Sequence, residues 1–188
     1  MRKFWKAGTI ALLAGVLCGA LGGALGGALG IGSALAQLQQ NAASVQAWSI
    51  FEAAANGQKM CWIASQPTKS AAYRNGTSVE VRRGDIFLMV AVRPADGVKN
   101  EVSFISGYPF RNGSEVSAKV GERSFTMFTE GENAWAPSSA EDDAIVNAFR
   151  AGANALIEGT SSRGTRTVDT FSLMGFSAAL EQATQRCG

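Results

Sequence analysis

Hydrophobic and polar positions divide the chain into three regimes. Ala7 to Leu35 is uncharged and built mainly of Gly, Ala and Leu. Gln37 to Ser44 is polar and Ala-rich. From Val45 onward, short runs of β-formers alternate with turn signals, and helical spacing appears only late. Val45–Phe51 and Lys59–Ala64 flank Asn56-Gly57, a hairpin-turn pair, so they are expected to form a hairpin carrying Cys61. Asn75-Gly76 marks another turn, and Ser78–Arg82 alternates as a strand. Asp85–Arg93 is apolar at both parities, which predicts a central strand buried on both faces. Pro94–Gly97 and Asn112-Gly113 are turns, and Glu101–Ile105, Ser124–Phe128 and the short Asn133–Trp135 are further strands.

A helix should begin after Pro137. Ser138 and Glu141 have capping-box spacing, Glu141, Asp142 and Asp143 suit the first turn, and Ile145, Ala148 and Phe149 share one face. Arg150 suits its last turn and Gly152 its stop. Ala155–Gly159 is one more strand, Thr160–Thr167 a polar loop, and Thr170–Leu173 is ambiguous. Phe176, Ala179, Leu180, Ala183 and Cys187 fall on one face of a second helix, from about Gly175 to Arg186. The expected fold is α+β and β-rich: a mostly antiparallel sandwich or half-barrel with the two late helices packed at one end.

The first regime has the layout of an export signal. Arg2, Lys3 and Lys6 form a basic start, the uncharged run follows, and Ala34-Leu35-Ala36 is a small-x-small cleavage pattern. Cleavage after Ala36 would leave Gln37 as the first mature residue. The expected organisation is therefore 1–36 signal peptide, 37–44 linker and 45–188 a single domain. The apolar run exceeds the usual ~7–15 residues of a signal core. It also reaches the ~20 needed to span a bilayer. Retention as an inner-membrane anchor is thus the alternative to cleavage. Lipidation at Cys18 is disfavoured by Leu17, since a lipobox wants a small residue there.

Charge changes meaning once the leader is set apart. Of 17 basic residues three lie in the leader, whereas all 15 acidic residues follow it, so residues 37–188 carry a net charge of −1. That argues against a nucleic-acid partner. Cys61 and Cys187 remain after cleavage, an even pair that an oxidising compartment would join as a disulfide. Such a bridge closes a long loop, worth roughly 4–5 kcal/mol in the chain-entropy account. The alternative is two buried thiols.

Candidate chemistry is sparse. With no histidine in the chain, Ser-His-Asp and Cys-His nucleophile systems and histidine metal sites are excluded. No Cys-x-x-Cys occurs, and no metal or cofactor is implied. Gly159–Gly164 misses the Gly-x-Ser-x-Gly elbow spacing. Glu141–Asp143 are better explained as helix-start acids than as cation ligands, and Arg82, Arg83 and Arg93 as solvated strand ends than as a basic patch. The surface that stands out is Thr160–Asp169, where Arg163 and Arg166 flank Gly164 and Asp169 follows. An arginine–carboxylate pair would brace this loop or present a polar recognition surface.

Gly159–Thr165, followed by Asp169–Leu180, is similar to the invasion-associated locus B family of exported alphaproteobacterial proteins. Trp48, Cys61, Gly107-Tyr108-Pro109-Phe110 and the terminal Cys187 agree with it. The resemblance implies a β-rich domain of the periplasm or cell envelope without a defined reaction. The expected function is non-enzymatic binding of a protein or envelope component, through Arg163, Arg166, Asp169 and Tyr108. A small-ligand cavity between sheet and helices, lined by Trp62, Phe87 or Trp135, is the second reading. A histidine-independent hydrolase using paired carboxylates is the third.

Overall fold

The computed structural model describes residues 40–55 and 57–187; the leader, its cleavage point at Ala36 and Gln37, and Asn56 lie outside the described residues. In chain order the elements are β1 (Gln40–Val45), β2 (Trp48–Ala55), β3 (Gln58–Ser65), β4 (Lys69–Arg74), β5 (Thr77–Ser78) and β6 (Phe87–Arg93). They continue with β7 (Val98–Ile105), β8 (Glu115–Val120), β9 (Arg123–Glu130), β10 (Asn133–Trp135), α1 (Ser139–Ala151), β11 (Asn154–Thr160), β12 (Arg166–Ser172) and α2 (Phe176–Cys187). The expected β-rich, antiparallel character is present. The twelve strands form one sheet in the order β1-β2-β3-β6-β7-β10-β9-β8-β11-β12-β4-β5, and neighbours pair antiparallel throughout.

The sheet curls so that its inner face meets itself. Phe104 on β7 packs edge-on against Phe171 on β12, with ring centroids 6.1 Å apart. The Trp48 indole on β2 donates to the Ser172 carbonyl at 3.1 Å. Alternation sends Ile50, Ile63, Leu88, Val90, Val102 and Phe104 to this inner face from one half, and Val116, Ala118, Ile157 and Phe171 from the other. Gly159 makes room for the packing near β11: a Cβ there would lie 2.7 Å from the Phe110 ring.

Both helices join the core. Phe176 meets Trp48 at 5.0 Å and Phe149 of α1 at 5.4 Å. Cys187 is joined by a disulfide to Cys61 on the inner side of β3. α2 contacts β2, β3 and β6, and α1 contacts β7. Ser138 caps α1, its hydroxyl accepting from the Glu141 amide at 3.2 Å. Asp142 is buried and its carboxylate accepts from the Val102 amide at 2.9 Å, which ties the helix start to β7.

Several expectations are corrected. The stretch 37–44 read as linker holds most of β1, which pairs with β2 through a turn at Gln46-Ala47. Ser78–Arg82 is not a full strand: β5 stops at Ser78, and residues 79–86 run without regular structure. β6 is not buried on both faces. Leu88, Val90 and Val92 are buried, while Phe87, Met89 and Ala91 on the other side are only half-buried. β4 and β8 have no counterpart among the expected strands. The loop expected over Thr160–Thr167 shrinks to the turn 161–165, because β11 and β12 pair up to Thr160 and Arg166.

Candidate functional site

Alternation along β12 sends Thr167, Asp169 and Phe171 inward. Asp169 is fully buried, and a buried carboxylate requires partners. Arg83, from the irregular segment before β6, supplies two: its Nη1 donates to Oδ1 at 2.7 Å and its Nη2 to Oδ2 at 2.8 Å. The Ser70 hydroxyl on β4 donates to Oδ1 at 2.6 Å. Arg83 also donates to the Ser106 carbonyl from Nε at 2.9 Å and from Nη2 at 2.7 Å. The Tyr108 ring lies over its guanidinium at 4.9 Å. The Tyr108 hydroxyl shares a 2.6 Å hydrogen bond with Thr167. Burial pushes the Tyr108 phenol up, opposed by the Thr167 hydrogen bond and by the Arg83 charge. A fully buried carboxylate held at both oxygens is a clamp. It fastens the segment 79–86 and the Ser106–Phe110 loop to β12.

The clamp reassigns the candidate residues. Asp169 and Tyr108 do come together, both against Arg83, but Asp169 is fully buried and Tyr108 is half-buried. Neither Arg163 nor Arg166 braces Asp169; Arg83 does. Arg166 points to the opposite face of β12, where it pairs with Glu158 at 2.7 Å and lies over the Tyr73 ring at 4.6 Å. Arg163 sits exposed at the β11–β12 turn. The Arg83 side chain is buried rather than solvated, and Arg93 is paired with Glu101 through two hydrogen bonds of 2.9 and 2.8 Å. Those bonds raise the Arg93 pKa further. Nothing near Arg83 in the chain distinguishes it from Arg82, which stays exposed.

The β11–β12 turn is held by bonds of its own and by a neighbouring loop. Within it, the Ser161 amide donates to the Thr165 carbonyl at 2.9 Å and the Gly164 amide to the Ser161 carbonyl at 2.8 Å. The Thr165 amide donates to the Ser161 hydroxyl at 3.1 Å, which closes the turn with a side chain. The neighbouring loop grips it from outside: the Ser162 amide donates to the Pro109 carbonyl at 2.8 Å, and the Arg111 amide to the Thr160 carbonyl at 3.0 Å. Ser162 and Arg163 are thereby presented to solvent on a fixed backbone.

The aromatic side chains expected to line a cavity under the helices lie elsewhere. Cys61 and Ile63 face inward, so Trp62 between them faces outward, where it stacks on Phe51 at 5.4 Å. Phe87 and Trp135 share that outer side, the latter against Phe128 at 5.6 Å. Among the described residues, no three of Cys, Asp and Glu gather as metal ligands, and no helix is long and apolar enough to cross a membrane.

Residues 48–184 match the family model described as invasion associated locus B (IalB) protein. Among solved structures, the chain is similar to the crystal structure of invasion associated protein b from Bartonella henselae. That match has 20% sequence identity and a TM-score of 0.54, and covers 79% of this chain and 96% of that one. At this identity the likeness speaks for the fold. No curated protein matches.

Proposed function

Because the chain belongs to the invasion associated locus B family, we propose that it is an exported, non-enzymatic domain that binds a protein or another component of the cell envelope. The single observation that carries this reading is the β11–β12 turn. Its exposed tip, Ser162 and Arg163, is held by bonds within the turn and by the Pro109–Arg111 backbone. A surface fixed in advance loses little conformational freedom on binding, which favours recognition. On this proposal the curled sheet is a half-barrel whose turn end, with Gly107–Phe110 beneath it, is the working end. The basic, apolar leader supports export to the periplasm. If it is retained, it serves as an inner-membrane anchor.

The test is photo-crosslinking in intact cells from a probe at position 162, with a second probe at position 122 on the β8–β9 turn as reference. A discrete adduct from 162 and none from 122 is the expected outcome. Equal labelling from both, or none from either, overturns the assignment of this surface.

A further inference from the structure

We propose that the β11–β12 turn carries a binding site for a phosphate group, formed by Arg74, Arg111 and Arg163. The inference rests on reading this end as the contact surface and adds what that surface recognises. The three side chains come from separate parts of the chain: the last residue of β4, the loop before β8, and the turn itself. Two of them reach consecutive residues of the turn, Gly164 and Thr165, and the third belongs to the turn itself. Arg74 Nη2 donates to the Thr165 hydroxyl at 3.0 Å. Arg111 Nη2 lies 3.0 Å from where a Cβ on Gly164 would stand. Arg163 immediately precedes Gly164. All three are exposed.

Arg83, Arg93 and Arg166 each have a carboxylate partner at 2.7 or 2.8 Å. Arg74, Arg111 and Arg163 have none among the described residues, although Glu158 is close enough along β11 to serve Arg166. Arg82, Arg123, Arg150 and Arg186 also lack a carboxylate partner among the described residues, so what sets Arg74, Arg111 and Arg163 apart is that they meet at one turn. Like charges gathered on a fixed turn repel one another, and an incoming anion relieves that repulsion. Guanidinium groups suit oxyanions because their planar fork donates two parallel hydrogen bonds. One carboxylate would offset one of three positive charges. A phosphate monoester carries about −1.5 to −2 charge and three acceptor oxygens, which matches three guanidinium donors better. The phosphate can come from a soluble compound or from a lipid headgroup; the chemistry at the turn is the same.

Two arms distinguish the sources. The purified protein is titrated with inorganic pyrophosphate by calorimetry, and separately co-sedimented with phosphatidylcholine vesicles containing phosphatidate. The variants are R111Q/R163Q, R74Q and, as reference, R123Q at the opposite end of the strands. Saturable binding is expected in at least one arm, weakened about tenfold or more in R111Q/R163Q, as loss of charge-assisted hydrogen bonds implies. R123Q should bind as the unchanged protein does. Binding of pyrophosphate assigns a soluble source, and binding of vesicles alone assigns a headgroup. The site is overturned if neither probe binds, or if R123Q weakens binding as much as R111Q/R163Q does. A discrete crosslink from position 162 without phosphate binding overturns the phosphate site alone, leaving the contact surface in place.

Discussion

Arg83 and Asp169, separated by 86 positions in the chain, form a two-pronged ion pair whose side chains are 8% and 0% exposed. Ser70 and the Ser106 carbonyl complete the hydrogen bonding. Removing one partner leaves the other buried and uncompensated, so Asp169→Asn or Arg83→Met is expected to destabilise by about 3–5 kcal/mol. Urea titration checks this. Arg83→Lys should not rescue, because an ammonium group cannot make the two parallel bonds. A loss below about 1 kcal/mol would place the pair among exposed ion pairs, contrary to its burial.

The Cys61–Cys187 disulfide spans 126 positions. Replacing both cysteines with alanine is expected to remove roughly 4–5 kcal/mol, most of it through the greater freedom of the unfolded chain. Denaturation with and without reductant should show the same difference in the unchanged protein and none in the variant. Intact mass after alkylation gives an independent check: two labels with reductant and none without, for a chain cleaved after Ala36.

Tyr108 gives an alkaline signature. Its phenol is raised from the ordinary value of 10.0, chiefly by burial. The folded protein therefore keeps that proton to higher pH than the unfolded chain does. The associated stabilisation is fully present below about pH 10 and is lost as pH rises through the raised folded value. Tyr108→Phe should be less stable at neutral pH by about 1 kcal/mol, through loss of the Thr167 hydrogen bond. Above pH 10 the gap should narrow, since phenylalanine does not titrate. A constant gap across that range would place the tyrosine in contact with water.

Gly107 has φ of 69°, and a Cβ on it would meet the Gly84 carbonyl oxygen at 2.6 Å. Both the left-handed backbone and the close approach exclude a side chain. Gly107→Ala is expected to destabilise by about 1–3 kcal/mol. It should also loosen the Gly84 amide, which donates to the Gly107 carbonyl at 2.9 Å. Hydrogen exchange at Gly84 reads that loosening directly, and an unchanged rate would contradict it.

What was legible in the sequence follows from local physics. The β2–β3 hairpin declares itself through β-formers on either side of an Asn-Gly pair. α1 is announced by the Ser138 cap and α2 by its apolar face. β4 is another matter. Lys69-Ser70-Ala71-Ala72-Tyr73-Arg74 has no β-branched residue, and it is a strand because β12 pairs with it. β8 does alternate, with Val116, Ala118 and Val120 buried, but a central alanine between polar residues weakens the pattern. β6 misled because Phe87, Met89 and Ala91 look like core; they face the outer side instead, where Ala91 lies opposite Trp62. The candidate site was half legible. Asp169 and Arg163 could be singled out, but Arg83 has no local mark, since its burial depends on a carboxylate in another third of the chain.

The strand order has a consequence for how the molecule is made. β4 and β5 are fourth and fifth in the chain but stand beyond β12, so the far edge of the sheet can form only after β12 is available. α2, the next element, then closes on the earliest strands. Pairings this distant require large loops to close before any bond rewards them, which places such folds at the slow end, from milliseconds to seconds. Until the last third of the chain arrives, Lys69–Arg74 is a strand without a sheet, and the molecule in that interval needs protection more than speed.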